Sequence, residues 1–111
     1  MESTRQQKIN RLLQRDLGDI FQQEGPALSR AMVSVTRVKV SPDLAQAKVY
    51  LSIFGIEDKP AELESLRKKT KEIRHKLARK VKSQLRLTPQ LDFFLDDSLD
   101  YIERIEDLLE S

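Results

Sequence analysis

The stretch VSVTRVKVSPDLAQAKVYLSI at 33–53 alternates apolar and polar residues, breaks at Ser41-Pro42-Asp43-Leu44, and alternates again through Ile53. Alternation with a period of two is the signature of strands that bury one face, so this stretch predicts an antiparallel hairpin with a loop of about four or five residues. In the second strand Ala47, Val49, Leu51 and Ile53 face one way, and Lys48, Tyr50, Ser52 and Phe54 the other. The first strand changes phase: Val33 and Val35 are in one register, Val38 and Val40 in the other. Either a bulge near Thr36-Arg37 reconciles the two, or Ser34 and Thr36 sit on the inner face. Pro42 presets the backbone for a type I turn, and Ser41, preceding proline, is kept extended.

The period lengthens on both sides of the hairpin. Ile9, Leu12, Leu13, Leu17, Ile20 and Phe21 recur at steps of three and four, predicting a helix over 4–23 with Thr4 as N-cap and Gly25-Pro26 as its stop, followed by a short linker to Arg30. After a connector at 55–60, Leu63, Leu66, Ile73, Leu77, Val81 and Leu85 continue a helical stripe until Thr88-Pro89. Unbroken, it would extend ~38 Å, against a domain diameter of about 34 Å. Either the helix projects or it bends, and Lys68-Lys69-Thr70-Lys71, where the stripe is interrupted and like charge concentrates, is the expected place of a bend. Leu91, Phe93 and Leu95 then alternate with Asp92, Phe94 and Asp96 as a third strand, and Asp97 or Ser98 caps a final acidic helix at about 98–110. The expectation is one α+β domain, 1–111, with helices on one face of a three-stranded sheet. The long helical crossover into the third strand makes that sheet mixed.

Chemistry is sparse. Of 111 residues, 34% are charged and 39% hydrophobic, a folded chain with a very polar exterior. There is no cysteine, no apolar run near membrane-spanning length and no signal-peptide pattern, so a soluble, cytoplasmic protein is expected. His75 is the single histidine, which argues against a zinc site and for a surface residue. No serine elbow or Cys/His pair is present, and glycine at 18, 25 and 55 draws no phosphate loop. Asp96, Asp97 and Asp100 read as helix-capping residues rather than a magnesium site. Neither catalysis nor a cofactor is expected.

The informative signal is charge. Residues 61–87 hold ten Lys or Arg against three Glu, and residues 92–111 hold eight Asp or Glu against Arg104. The plainer interpretation of the basic segment is a solvated face. Its one-signed character points instead to phosphate, with counterion release giving strong salt dependence. The candidate nucleic-acid-binding residues are Arg67, Lys68, Lys69, Lys71, Arg74, Lys76, Arg79, Lys82 and Arg86, extended across the hairpin by Arg37, Lys39 and Lys48. Nothing resembles a major-groove reading element, so RNA is favoured over DNA. Tyr50 and Phe54 offer base stacking as a minority reading, while Phe21 and Phe93 have core phase.

Four segments, RQQKINRLLQRDLGDIF at 5–21, the stretch at 33–53, IRHKLARKV at 73–81 and LTPQLDFFLDDSLDYIERIEDLL at 87–109, closely resemble the ribosome-binding factor A family. The resemblance implies a type II K-homology-like fold in the order helix, strand, strand, helix, helix, strand. It also implies a non-catalytic bacterial assembly factor that binds the free 30S subunit and not translating ribosomes. Such a factor acts near the 5′-terminal helix and decoding region of 16S rRNA, and supports its processing, especially in the cold. A monomeric state is part of the expectation. Family members resemble a helix-kink-helix with an Ala-x-Gly kink; aligning on Ile73-Arg74 puts it at Lys69-Thr70-Lys71 here, with neither alanine nor glycine. The runner-up function is a protein-interaction adaptor in ribosome assembly, binding another assembly factor or a ribosomal protein through the acidic last helix. A small ribonuclease is disfavoured because no acid-base pair presents itself.

Overall fold

A computed structural model describes residues 2–96. Helix α1 (Thr4–Leu28) is followed by strands β1 (Met32–Val40) and β2 (Gln46–Phe54), helices α2 (Lys59–Arg67) and α3 (Thr70–Val81), and strand β3 (Gln90–Leu95). The expected acidic helix at 98–110, with its cap at Asp97 or Ser98, lies outside the described residues.

The sheet order is β1-β2-β3, with β1 antiparallel and β3 parallel to the central β2, so the mixed sheet expected from the crossover is present. Its inner rows run Val38, Val49, Phe93 and Val40, Ala47, Leu91. These side chains are buried together with Leu13, Leu17 and Ile20 of α1, Leu66 of α2, and Ile73, Leu77 and Val81 of α3. Phe21 meets Phe93 edge to face, ring centroids 6.4 Å apart.

The phase change in β1 is a bulge. Val35 pairs with Leu51 and Arg37 with Tyr50, leaving Thr36 unpaired in the ladder. Val33 and Val35 thereby share the inner face with Val38 and Val40. The Thr36 hydroxyl lies 3.2 Å from the Tyr50 carbonyl and 2.5 Å from Asp96 Oδ2, pinning the bulge to the end of β3. At the hairpin tip the Leu44 amide donates to the Ser41 carbonyl, the bond of the expected type I turn, and Leu44 takes up a left-handed φ of 60°. The Ser41 hydroxyl and the Ala45 amide donate to Asp43 and hold its carboxyl below the ordinary aspartate pKa.

Several boundaries differ from the sequence expectation, among them the start of α2, which lies at Lys59 inside the expected connector. The N-cap is Ser3, not Thr4: Ser3 Oγ accepts from the Gln6 amide while the Gln6 side chain accepts from the Ser3 amide, a reciprocal capping box. Gly25-Pro26 does not end α1. The helix kinks at Glu24 (φ −117°, ψ 17°) and resumes. Proline has no N–H to donate back along a helix and clashes with the preceding turn, but it is well placed in the first turn of a restarted segment. The Ser29 amide then closes the last turn on the Gly25 carbonyl, and Leu28 is buried. Finally, α3 stops at Val81 rather than near Thr88. The Gln84 and Leu85 amides both reach the Val81 carbonyl at 2.8 Å, folding Leu85 back into the core and aiming the chain at β3.

The bend in the crossover falls where length and periodicity put it, between α2 and α3, at Lys68 and Lys69. It forms without alanine or glycine because other groups satisfy the opened turn. The Lys69 amide bonds the Leu66 carbonyl, and the Thr70 hydroxyl donates to the Arg67 carbonyl at 2.6 Å.

Candidate nucleic-acid interface

The basic segment separates into two sets with different work. Four of its cations turn inward. Arg67 sends Nε and a terminal nitrogen to the Phe93 carbonyl at 3.1 and 2.7 Å and also pairs with Glu64. Arg74 donates to the Pro89 and Thr88 carbonyls at 3.0 and 2.6 Å. The two guanidinium forks thus tie β3 and the turn leading into it to α2 and α3. Lys69 Nζ donates to the Leu28 carbonyl at 2.8 Å, with Ala27 at 3.4 Å, placing a positive charge at the negative end of α1. Lys76 joins Glu24 at 2.6 Å, bracing the kink in α1.

The other set faces solvent. Lys71, His75 and Arg79 of α3 and its C-cap residue Lys82 follow one another at steps of four, four and three, all exposed. This spacing places them on one side of the helix, opposite buried Ile73, Leu77 and Val81. None of the three cations in this stripe has a hydrogen-bond or ion-pair partner among the described residues; nor do Lys68 and Arg86. Arg86 stands with Arg5, Arg74 and the 81% exposed Leu87 around a cleft of about 420 Å³ between the hairpin tip and the approach to β3. Arg5 is not among the sequence candidates. It lies in α1, far along the chain from the basic segment, and only the fold brings it there.

Arg37, Lys39 and Lys48 lie on the sheet face opposite the helices. Lys39 is paired across the strands with Lys48, which has Asp92 on its other side. The next row is Arg37, Tyr50, Phe94. The Arg37 guanidinium sits 4.3 Å from the Tyr50 ring centroid, Tyr50 stacks on Phe94 at 5.6 Å, and the Arg67 guanidinium is 5.9 Å from Phe94. The bulge sets this row, because it brings Arg37 opposite Tyr50. Tyr50 is half-buried by its neighbours, and Phe54 is exposed at the end of its strand.

No cluster of three or more metal-ligating side chains occurs among the described residues. No helix among them is long and apolar enough to cross a membrane. The site is a charged surface built on a helix and a sheet face.

The profile of the family described as Ribosome-binding factor A matches residues 5–109. The chain belongs to the ribosome-binding factor A family. A Ribosome-binding factor A of Cytophaga hutchinsonii is 44% identical over 110 residues, spanning 98% of this chain and 83% of that protein. One from Flavobacterium johnsoniae is 47% identical over 111 residues, spanning 98% and 85%. The crystal structure of ribosome-binding factor A from Thermus thermophilus superposes with a TM-score of 0.68 at 23% identity, covering 81% of this chain and 94% of that one, a likeness of fold. A homology model of the Thermus thermophilus factor, fitted into a cryo-EM map of its complex with 30S, gives a TM-score of 0.62 at 26% identity over 78% and 89% of the chains. The α+β, K-homology-like arrangement expected from the sequence is therefore the architecture of the ribosome-binding factor A family.

Proposed function

We propose that this protein is a non-catalytic, cytoplasmic ribosome assembly factor that binds the free 30S subunit through 16S rRNA. It promotes late 30S maturation and 16S processing, including at low temperature. The observation that carries the reading is the outward stripe of cations on α3, unpaired among the described residues, in a chain whose family is named for ribosome binding. Lys71, Arg79 and Lys82, with Lys68 at the bend before α3 and Arg86 on the approach to β3, meet phosphate oxygens directly. Arg37, Lys39 and Lys48 add a second basic face on the far side of the sheet. Arg67, Lys69, Arg74 and Lys76 contribute positive potential while their donors hold the fold.

Binding of this kind is displaced by salt: each neutralised phosphate steepens the fall of log affinity with log salt by about 0.7 to 0.9. Cosedimentation with separated 30S, 50S and 70S particles at two salt concentrations tests the reading. Selective, salt-sensitive association with 30S is expected. Equal association with all three particles would reduce the protein to a general basic RNA binder.

A further inference from the structure

Strand β1 lies at the edge of the sheet, and α1 shields that edge with a row of polar side chains. The Gln6 amide donates to the Val40 carbonyl at 3.3 Å, Asn10 Oδ1 accepts from the Val40 amide at 2.8 Å, and the Gln14 amide donates to the Thr36 carbonyl at 3.2 Å. The three lie four residues apart on one helix face. Gln6 and Asn10 both reach Val40 and Gln14 reaches Thr36, so eight helical residues, about 12 Å, cover four residues of the oppositely running strand, about 13 Å. Its next member would fall beside the Val33–Val35 stretch, and that position is Gly18. The shielding therefore stops halfway along the strand. No side chain bonds the backbone of Met32–Val35 among the described residues, although alternate residues of an edge strand turn N–H and C=O outward.

Where the row fails, a groove of about 1240 Å³ opens between α1 and the first half of β1. Met32, 74% exposed, and the half-buried Val33 and Val35 give it apolar surface. Its wall carries Arg11, Arg15 and Arg30 against Asp19. Arg11 and Arg30 have no partner among the described residues, and Arg15 remains 64% exposed beside Asp16. A Cβ added at Gly18 would meet nothing within 4 Å, so open space adjoins the helix at that point. Glycine inside a helix is destabilising by roughly 0.5–1 kcal/mol relative to alanine, and no packing requirement in the fold explains it.

We propose that this groove receives an extended acidic segment of a partner protein, added to the sheet as a new strand along Met32–Val35. The backbone edge offers donors and acceptors at the repeat of a polypeptide, whereas phosphate only accepts; the arginines select carboxylates. The aromatic ring lining the groove, Phe21, is buried and unavailable to stack on a base. The proposal is independent of the rRNA-binding reading, which rests on α3 and the opposite sheet face.

The test is an NMR titration of the full chain with a peptide of about eight alternating Glu and Val residues, enough to span the free edge at about 3.3 Å per residue. A Lys-Val peptide of the same pattern and a single-stranded oligouridylate run alongside. The Glu-Val peptide is expected to shift the Met32–Val35 amides and slow their hydrogen exchange. Gly18→Gln, which continues the shielding row into open space, is expected to lower affinity at least about tenfold while melting at the same or a higher temperature. Arg11→Glu with Arg15→Glu is expected to lower it to a similar extent. Unshifted Met32–Val35 amides, equal binding of the Lys-Val peptide, undiminished binding by Gly18→Gln, or the same shifts from oligouridylate alone would each overturn the proposal. Cosedimentation of Gly18→Gln with 30S reads the rRNA-binding proposal separately.

Discussion

Gln6 shows how tightly one side chain can be committed. Its carbonyl oxygen accepts from the Ser3 amide to complete the capping box, and its amide donates to the Val40 carbonyl across to the sheet. Glutamate ordinarily serves as well as glutamine at this capping position. Here Gln6→Glu removes the donor and sets a carboxylate against a carbonyl, so a loss of about 1–3 kcal/mol is expected in urea unfolding. The two sets of cations part at the same scale. Arg74→Ala leaves the Thr88 and Pro89 carbonyls unsatisfied and should destabilise by about 1–3 kcal/mol, whereas Lys71→Ala should fall within about 0.5 kcal/mol of the parent. This division is not legible in the sequence. Arg74 and Lys71 differ by three positions, and only the placement of β3 gives Arg74 carbonyls to bind. Asp43 gives a pH test. Its folded-state pKa is lowered chiefly by the Ser41 hydroxyl, so its support for the turn is present above the unfolded value and is lost as pH falls through the lower folded value. A carboxyl NMR titration should place Asp43 below the usual aspartate range, and Ser41→Ala should move it back up.

Among elements, the stripe on α3 makes the functional prediction. Lys71→Glu, Arg79→Glu and Lys82→Glu combined should weaken 30S cosedimentation at least about tenfold and flatten its salt dependence, with an unchanged melting temperature. Unchanged binding would move the interface to the sheet face. Elements are legible where one period holds to the end of the segment. Ala47 to Ile53 alternates without error, and the bulge at Thr36 is written in the phase change from Val35 to Val38. The ends of α1 and α3 depart from the periodic pattern for a common reason. Gly25-Pro26 looks the same whether it stops a helix or restarts one after a kink at Glu24, and Leu85 fits the helical stripe although it reaches the core from a turn. In both cases tertiary burial, of Leu28 and of Leu85, sets the boundary.

For the whole molecule, β2 pairs with β1 through a short hairpin, but with β3 only after α2 and α3 have been laid across the sheet. The two arginines that hold β3 both come from that crossover. These contacts have unequal kinetic standing. The hairpin closes a small loop, whereas the β2–β3 pairing must wait for a long one. The third strand should therefore dock last in folding and detach first in opening. Native-state hydrogen exchange should show those Leu91–Leu95 amides that are hydrogen-bonded to β2 exchanging through a partial opening, ahead of the β1–β2 ladder. Arg67 and Arg74 then act as a latch on the fold's slowest-forming seam: replacing either should accelerate that opening while leaving the exchange of the hairpin nearly untouched.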